Sequence, residues 1–278
     1  MKTISLPIVV VALCLVIFSG ASCSQRVQKM KNFPESLPAI ELKEKEPQRY
    51  LMTAEYFNKD IFGNQGGKIA VSGEYTRGLD SGYVRWNNVS IVHANNPSED
   101  YGQKIKQDYM ENLSYLPSPD LLEAPFFEKF QAYPDNIFAR NLIWDMMAIE
   151  GYAWNYYDSL QLNVTYKVPD IQGAFDMAEI GTYNHAKITL NWLGVSPKNG
   201  KLCAIIEYRA LDNKLEMHTE TMKSRGSEWY WGKTWISLEN KQIEYAEMYS
   251  NTVQELEISG LPDKLLASIL RILTVERL

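Results

Sequence analysis

Residues 186–219 alternate apolar and polar side chains with a period of two, and two turn sequences interrupt the alternation. The apolar positions are Ala186, Ile188, Leu190 and Trp192 in the first segment, and Leu202, Ala204, Ile206 and Tyr208 in the second. Successive side chains of a strand point to opposite faces, so this pattern predicts strands with one buried and one wet face. The short turn at 196–200 predicts that the strands pair antiparallel.

A similar alternation precedes this block, and a different period separates the two. Ile69, Val71 and Tyr75 alternate with polar residues, and Asn87-Asn88 breaks the next predicted strand, which indicates a bulge. The middle segment 100–158 instead has helical spacing, most clearly at Phe138, Leu142, Ile143, Met146 and Met147.

The C-terminal segment, 262–277, is predicted to be an amphipathic helix. Its apolar positions are Leu265, Leu266, Ile269, Leu270 and Leu273. The expected fold is therefore α+β. It has a largely antiparallel sheet of about nine strands in an N-terminal and a C-terminal block, the helical middle segment packed on the sheet, and this C-terminal helix.

The N-terminus has the features of an export signal. Lys2 is the one charged residue before an apolar run from Pro7 to Phe18. Twelve helical residues span about 18 Å, which is too short for a hydrocarbon core of about 30 Å. Residues 1–22 are therefore predicted to be a signal peptide rather than a membrane-spanning helix.

The end of this segment resembles the lipobox of bacterial lipoprotein precursors, because the small residues Ser19, Gly20, Ala21 and Ser22 precede Cys23. The resemblance implies cleavage before Cys23 and acylation of this cysteine, which becomes the new N-terminus. Gly20 departs from that pattern, in which a leucine or similar residue usually stands three places before the cysteine. The alternative is ordinary cleavage after Ala21, which would give a soluble periplasmic or secreted protein.

Three regions follow from these boundaries. Residues 1–22 are the signal peptide, 23–48 a lipidated tether rich in mixed charges and proline, and 49–278 a single domain. Ser24 carries no signal for retention at the inner membrane, by resemblance to Gram-negative lipoproteins. We therefore expect a lipid-anchored protein of the outer membrane that faces the periplasm.

Several function classes are disfavoured. The formal net charge of −6 and the lack of basic clusters argue against nucleic acid as a partner. We find no phosphate-binding loop, dinucleotide fingerprint or nucleophile elbow, so we predict no nucleotide, no cofactor and no catalytic residue. His93, His185 and His218 lack zinc-like spacing, so no metal site is predicted, although Glu216, His218 and Glu220 share one polar stretch. Glu207 is the carboxylate that stands out, because its strand is otherwise apolar.

The cysteines give no disulfide. Cys14 lies in the predicted signal peptide and Cys23 is assigned to lipid, so Cys203 is left as a free thiol. Its position in an alternating segment predicts a buried side chain on a strand.

The most unusual segment is the aromatic run 228–238. As a strand it places Trp229, Trp231, Lys233 and Trp235 on one face, and Tyr230, Ile236 and Leu238 on the other. The next strand, with Ile243, Tyr245, Glu247 and Tyr249, is predicted to extend the tryptophan face. Aromatic side chains with a polar tip suit surfaces that are apolar at one end and hydrated at the other. We therefore predict that Trp229, Trp231, Lys233 and Trp235 form a ligand-binding site. The competing interpretation is that the helical middle segment simply covers this face.

Three functional hypotheses remain open. The first is a non-catalytic envelope lipoprotein that binds an apolar or amphiphilic ligand on the tryptophan face; its pattern resembles the half-barrel of periplasmic lipoprotein and lipid carriers. The second is a hydrolase that acts on a cell-envelope polymer. The third is a structural or assembly partner of an envelope complex.

Overall fold

The computed structural model describes residues 34–44, 46–60, 62–118, 124–169, 173–177 and 180–278. The predicted signal peptide and Cys23 lie outside the described residues. The described chain belongs to one compact unit, Pro34–Leu278.

Within that part of the chain, thirteen strands form one antiparallel sheet. The N-terminal strands are β1 (Gln48–Asp60), β2 (Gln65–Arg77), β3 (Val84–Ala94), β4 (Ile105–Lys106) and β5 (Leu113–Tyr115). The C-terminal strands are β6 (Thr165–Lys167), β7 (Gly173–Asp176), β8 (Gly181–His185), β9 (Lys187–Lys198), β10 (Lys201–His218), β11 (Met222–Ser237), β12 (Ile243–Ile258) and β13 (Leu265–Arg277). The order across the sheet is β4-β3-β2-β1-β13-β12-β11-β10-β8-β7, with β5 on β3, β9 on β10 and β6 on β9.

The strands predicted from alternation are confirmed. Most of the apolar positions that the period of two selects on β9 and β10 are buried, but Leu202 is half-buried and Ala186, just before β9, is exposed. Val71 and Tyr75 are buried on β2. A register shift lies opposite Asn87 and Asn88, where Asn88 has a positive φ of 56°, so the predicted bulge is also present.

The predicted C-terminal helix is wrong. This segment forms β13, which lies between β1 and β12 and pairs with both over almost its whole length. Leu273 and Val275 are completely buried, and the β-branched residues in the segment suit a strand. The physical reason is tertiary, because β13 pairs the two edges that β1 and β12 would otherwise expose.

The middle segment is also less helical than predicted, so the fold is mainly β rather than α+β. Residues 105–115 form β4, a 3-10 turn and β5, all packed against β3. Asn112 adopts a left-handed φ of 56°, which a continuous helix does not accommodate. The described helices are a single turn, α1 (Ala124–Phe127), and a long helix, α2 (Asn136–Trp154).

The prediction for α2 itself is confirmed. Leu142, Ile143 and Met146 are completely buried in its interface with the sheet. The ring of Tyr152 packs against Tyr208 and Tyr230, with centroids 5.0 and 6.4 Å apart. We call the sheet face that carries Tyr208 and Tyr230 the inner face and the opposite one the outer face.

Two ion pairs also join α2 to the inner face. Asp145 lies 3.1 Å from Arg271 of β13, and Glu150 lies 3.4 Å from Arg77 of β2. Burial raises the pKa of Asp145 to about 6 and that of Glu150 to about 7, although each arginine opposes the shift. Desolvation therefore outweighs the attraction between the paired charges.

The described residues of the predicted tether, 34–44 and 46–48, lie along this sheet unit. Leu37 and Ile40 pack against the core, and the backbone N–H of Lys43 donates to the Asn240 carbonyl oxygen at 3.0 Å. Glu44 pairs with Arg77 at 3.0 Å. The predicted domain start at residue 49 is one residue from the start of β1.

Candidate functional site

The tryptophan run forms the second half of β11, and its two faces have different surroundings. Tyr230, Thr234 and Ile236 point to the inner face and are buried. Trp231 points to the outer face and is 40% exposed. The helix α2 packs against the inner face, so it does not cover the tryptophans.

Neighbouring strands extend this aromatic surface. Trp231 pairs in register with Tyr249 of β12, and their rings stack with centroids 6.0 Å apart. Trp235 pairs with Tyr245, ring edge to face, at 5.2 Å. The predicted extension by Tyr245, Glu247 and Tyr249 is confirmed, whereas Ile243 is buried beyond a register shift.

A surface groove of about 460 Å³ lies beside the first of these aromatic pairs. Its lining includes Glu207, Arg209, Trp231, Lys233, Glu247 and Tyr249. Of the four predicted ligand-binding residues, the groove therefore brings together Trp231 and Lys233. Trp229 and Trp235 lie two residues away from this pair along the same face of β11.

The charges in the groove form two ion pairs of different tightness. Arg209 contacts Glu207 at 2.9 Å, while the Lys233 ammonium is 3.8 Å from Glu247. The side chains of Arg209 and Lys233 are 52% and 41% exposed, against 15% and 20% for Glu207 and Glu247. The carboxylates therefore lie deeper in the groove than the cations do.

Gly232 permits a close approach on the inner side of the strand. Tyr208 crosses over it, and its hydroxyl donates to the Glu247 carbonyl oxygen at 2.9 Å. A Cβ at position 232 would collide with both that oxygen and the tyrosine hydroxyl. Gly232 thus leaves room for the Tyr208 hydroxyl to form its hydrogen bond with the backbone of β12 beneath the groove.

The sequence matches no protein-family model, and no curated protein is significantly similar to it. Among solved structures, the chain is similar to one described as "Lipid-protein interactions in lipovitellin". The identity is 12% and the TM-score 0.39, over 86% of this chain and 25% of that chain. The chain thus spans about a quarter of the length of that lipovitellin chain.

The histidines have varied surroundings. His93 is half-buried on β3, and its Nε2 is 3.4 Å from Asp135. Glu216 and His218 line a second hollow of about 300 Å³. Among the residues that the structure describes, no group of three histidine, cysteine or acidic side chains could hold a metal ion.

Cys203 is buried on β10, as predicted. Burial raises the pKa of its thiol to about 12, so the thiolate that would act as a nucleophile is strongly disfavoured.

Across the described ranges, no helix is both long and apolar enough to cross a membrane.

A second polar cluster lies between α2 and the inner face of the sheet, and no motif in the sequence indicates it. Arg271 lies between Asp145 and Glu228, 3.1 and 3.9 Å away, and the Tyr183 hydroxyl donates to Glu228 at 2.6 Å. These four side chains come from α2, β13, β11 and β8 and are largely buried. The cluster fixes α2 to the sheet, because each charge there has a specific partner.

Proposed function

We propose that this chain is a non-catalytic, membrane-tethered lipoprotein of the bacterial cell envelope that binds an amphiphilic ligand on its outer sheet face. The observation that carries the proposal is the half-exposed Trp231, stacked on Tyr249 at the wall of a groove that also contains charged side chains. An amphiphile matches this surface because it combines an apolar part with a polar head.

The outer face also offers a path for the apolar part of the ligand. Ile272 of β13 pairs in register with Tyr249, so Trp231, Tyr249 and Ile272 form a row across three strands. Leu270 pairs with Phe57 of β1 on the same face, next to this row. An extended hydrocarbon chain would lie across β11, β12 and β13 with its head in the groove.

The membrane link rests on Cys23. Acylation of Cys23 would anchor the chain stably if it supplied at least two lipid chains, because a single acyl chain gives only reversible membrane binding. Residues beyond Cys23 would then connect the anchor to the segment from 34 onward that lies along the sheet unit.

Replacing Cys23 with alanine is expected to move the protein from the membrane fraction to the released fraction, because the residue that carries the lipid is lost. The measurement is fractionation of envelopes followed by intact mass analysis of the mature chain. Cys203→Ala is the matched control, and it should remain with the membrane. Membrane retention of the Cys23→Ala protein would contradict lipid anchoring.

The Cys23→Ala protein, purified gently from its native envelope, is expected to carry a stoichiometric amphiphile in native mass spectra. Trp231→Ala should lower ligand occupancy at least about tenfold, because aromatic anchors in binding sites contribute about 2 kcal/mol or more. Phe62→Ala is the control, since Phe62 is exposed in the β1–β2 turn. Circular dichroism verifies the fold of each variant.

A mass without bound ligand for the parent protein would overturn the proposal. So would equal occupancy in the parent and in Trp231→Ala.

A further inference from the structure

The outer face already holds an ammonium group against an aromatic pair. The Lys198 Nζ lies 3.7 Å from the ring centroid of Tyr245 and 5.9 Å from that of Trp235. Ammonium groups are attracted to the negative face of aromatic rings, most strongly to tryptophan. The Trp235–Tyr245 pair thus accommodates an ammonium group.

The groove contains a second tryptophan–tyrosine pair one repeat further along, with its rings stacked rather than edge to face. Trp231 and Tyr249 lie four residues from Trp235 and Tyr245 on β11 and β12, which is about 13 Å along the strands. In the described part of the chain, no lysine or arginine lies over either ring of this second pair. The second pair is thus open to a cation from a ligand.

The charges around Trp231 and Tyr249 determine which end of a charged ligand lies deep in the groove and which lies at its rim. Glu207 and Glu247 are mostly shielded, whereas Arg209 and Lys233 are about half exposed. A positive group is therefore favoured deep in the groove, beside the carboxylates and rings. A negative group is favoured at the rim, beside the two cations.

A ligand with charges of only one sign matches this groove less well than one that carries both. A ligand that is only cationic would compete with Arg209 and Lys233 for their partners Glu207 and Glu247, and a purely anionic one would be repelled by those two carboxylates. The lining has two carboxylates and two cations, so it is neutral in sum and is complemented by a ligand that is also neutral in sum but carries separated charges.

We infer that the groove binds a zwitterionic head group, with its ammonium between Trp231 and the Glu247 carboxylate and its phosphate near Lys233 and Arg209. This inference rests on the proposed function, since it specifies the head of the amphiphile whose apolar part lies along Tyr249 and Ile272. The ligand class is thus the phosphocholine or phosphoethanolamine amphiphiles.

The test compares four ten-carbon amphiphiles by titration calorimetry with the Cys23→Ala protein, each below its critical micelle concentration. They are decylphosphocholine, decyltrimethylammonium, decyl sulfate and decyl maltoside. Decylphosphocholine is expected to bind at least about tenfold more tightly than the other three. Glu247→Gln and Lys233→Met should each reduce this preference several-fold, whereas Lys198→Met, at the neighbouring pair, should leave it unchanged.

The outcomes separate the inference from the proposed function. Equal binding of all four amphiphiles, with loss in Trp231→Ala, would overturn the zwitterion assignment and leave amphiphile binding intact. Tightest binding of decyltrimethylammonium or of decyl sulfate would overturn it as well. No binding of any of the four would overturn both.

Discussion

Replacing Arg271 with methionine is expected to lower the free energy of unfolding by about 3–5 kcal/mol at neutral pH. Arg271 is the cation between Asp145 and Glu228, and its side chain is only 12% exposed. Its removal leaves two shielded carboxylates facing each other across the interface of α2 and the sheet. Urea unfolding followed by tryptophan fluorescence measures the change.

The matched control is Arg225→Met on β11. Arg225 pairs with Glu255 at 3.2 Å, but its side chain is 71% exposed, so its removal should cost less than about 1 kcal/mol. Adding Asp145→Asn and Glu228→Gln to Arg271→Met should restore part of the stability. A loss for Arg271→Met no larger than that for Arg225→Met would contradict a buried role for this cluster.

The protein is also expected to become less stable as the pH rises from about 4 to about 7, through its two buried acids on α2. Burial raises the pKa of Asp145 from 3.8 to about 6 and that of Glu150 from 4.5 to about 7. The folded protein therefore binds protons more tightly than the unfolded chain does. For a raised pKa, the stabilisation is complete below the unfolded-state value and is lost as the pH rises through the folded-state value.

Each of these shifts corresponds to roughly 3 kcal/mol over the full titration, as an order of magnitude. Asp145 faces Arg271 and Glu228, and Glu150 faces Arg77 and Glu44, so all these charges contribute to the shifts. We therefore expect the double variant Asp145→Asn, Glu150→Gln to show a much flatter dependence than the parent.

Unfolding in urea at half-unit pH steps measures this difference between the parent and the double variant. Asp60→Asn is the control, because hydrogen bonds from Asn64 and nearby backbone hold the pKa of Asp60 below 3.8, outside the window. Parallel curves for the parent and the double variant between about pH 4 and 7 would show that the two acids are not protonated more readily in the folded state.

The strands with one buried and one solvent-facing side could be predicted from the sequence, because apolar and polar residues alternate along them with a period of two. Ile188, Leu190 and Trp192 are buried as that pattern requires, and Trp231 is on the opposite face from Tyr230. Local turn chemistry and a period of two were sufficient for these elements.

The C-terminal segment could not be assigned in this way, because its apolar residues satisfy both periods. Leu266, Ile269, Leu270 and Leu273 fit a helical stripe, whereas Ile269, Leu273 and Val275 fit one face of a strand. The decision depends on β1, which is distant in sequence and offers an unpaired edge. Tertiary pairing of this kind overrides local periodicity.

The candidate site was predictable in part. The aromatic face with Trp231, Lys233 and Tyr249 follows from alternation along two strands. The participation of Arg209 follows from the register of β10 against β11, in which Arg209 pairs with Trp231. The pairing of β10 with β11 also has a register shift between Ala210 and Asn213. No local pattern in the sequence specifies this register.

The central position of β13 has a consequence for how the chain is made. Tyr50 of β1 pairs with Arg277 of β13, so β1 completes its pairing only after β13 has been synthesised. Until then the nascent chain has two separate groups of strands, each with an open edge that is prone to pair wrongly. Folding of this topology is intrinsically slow, since it closes the longest loop that the domain contains. A cell that makes this chain must therefore keep it from aggregating until β13 has been synthesised.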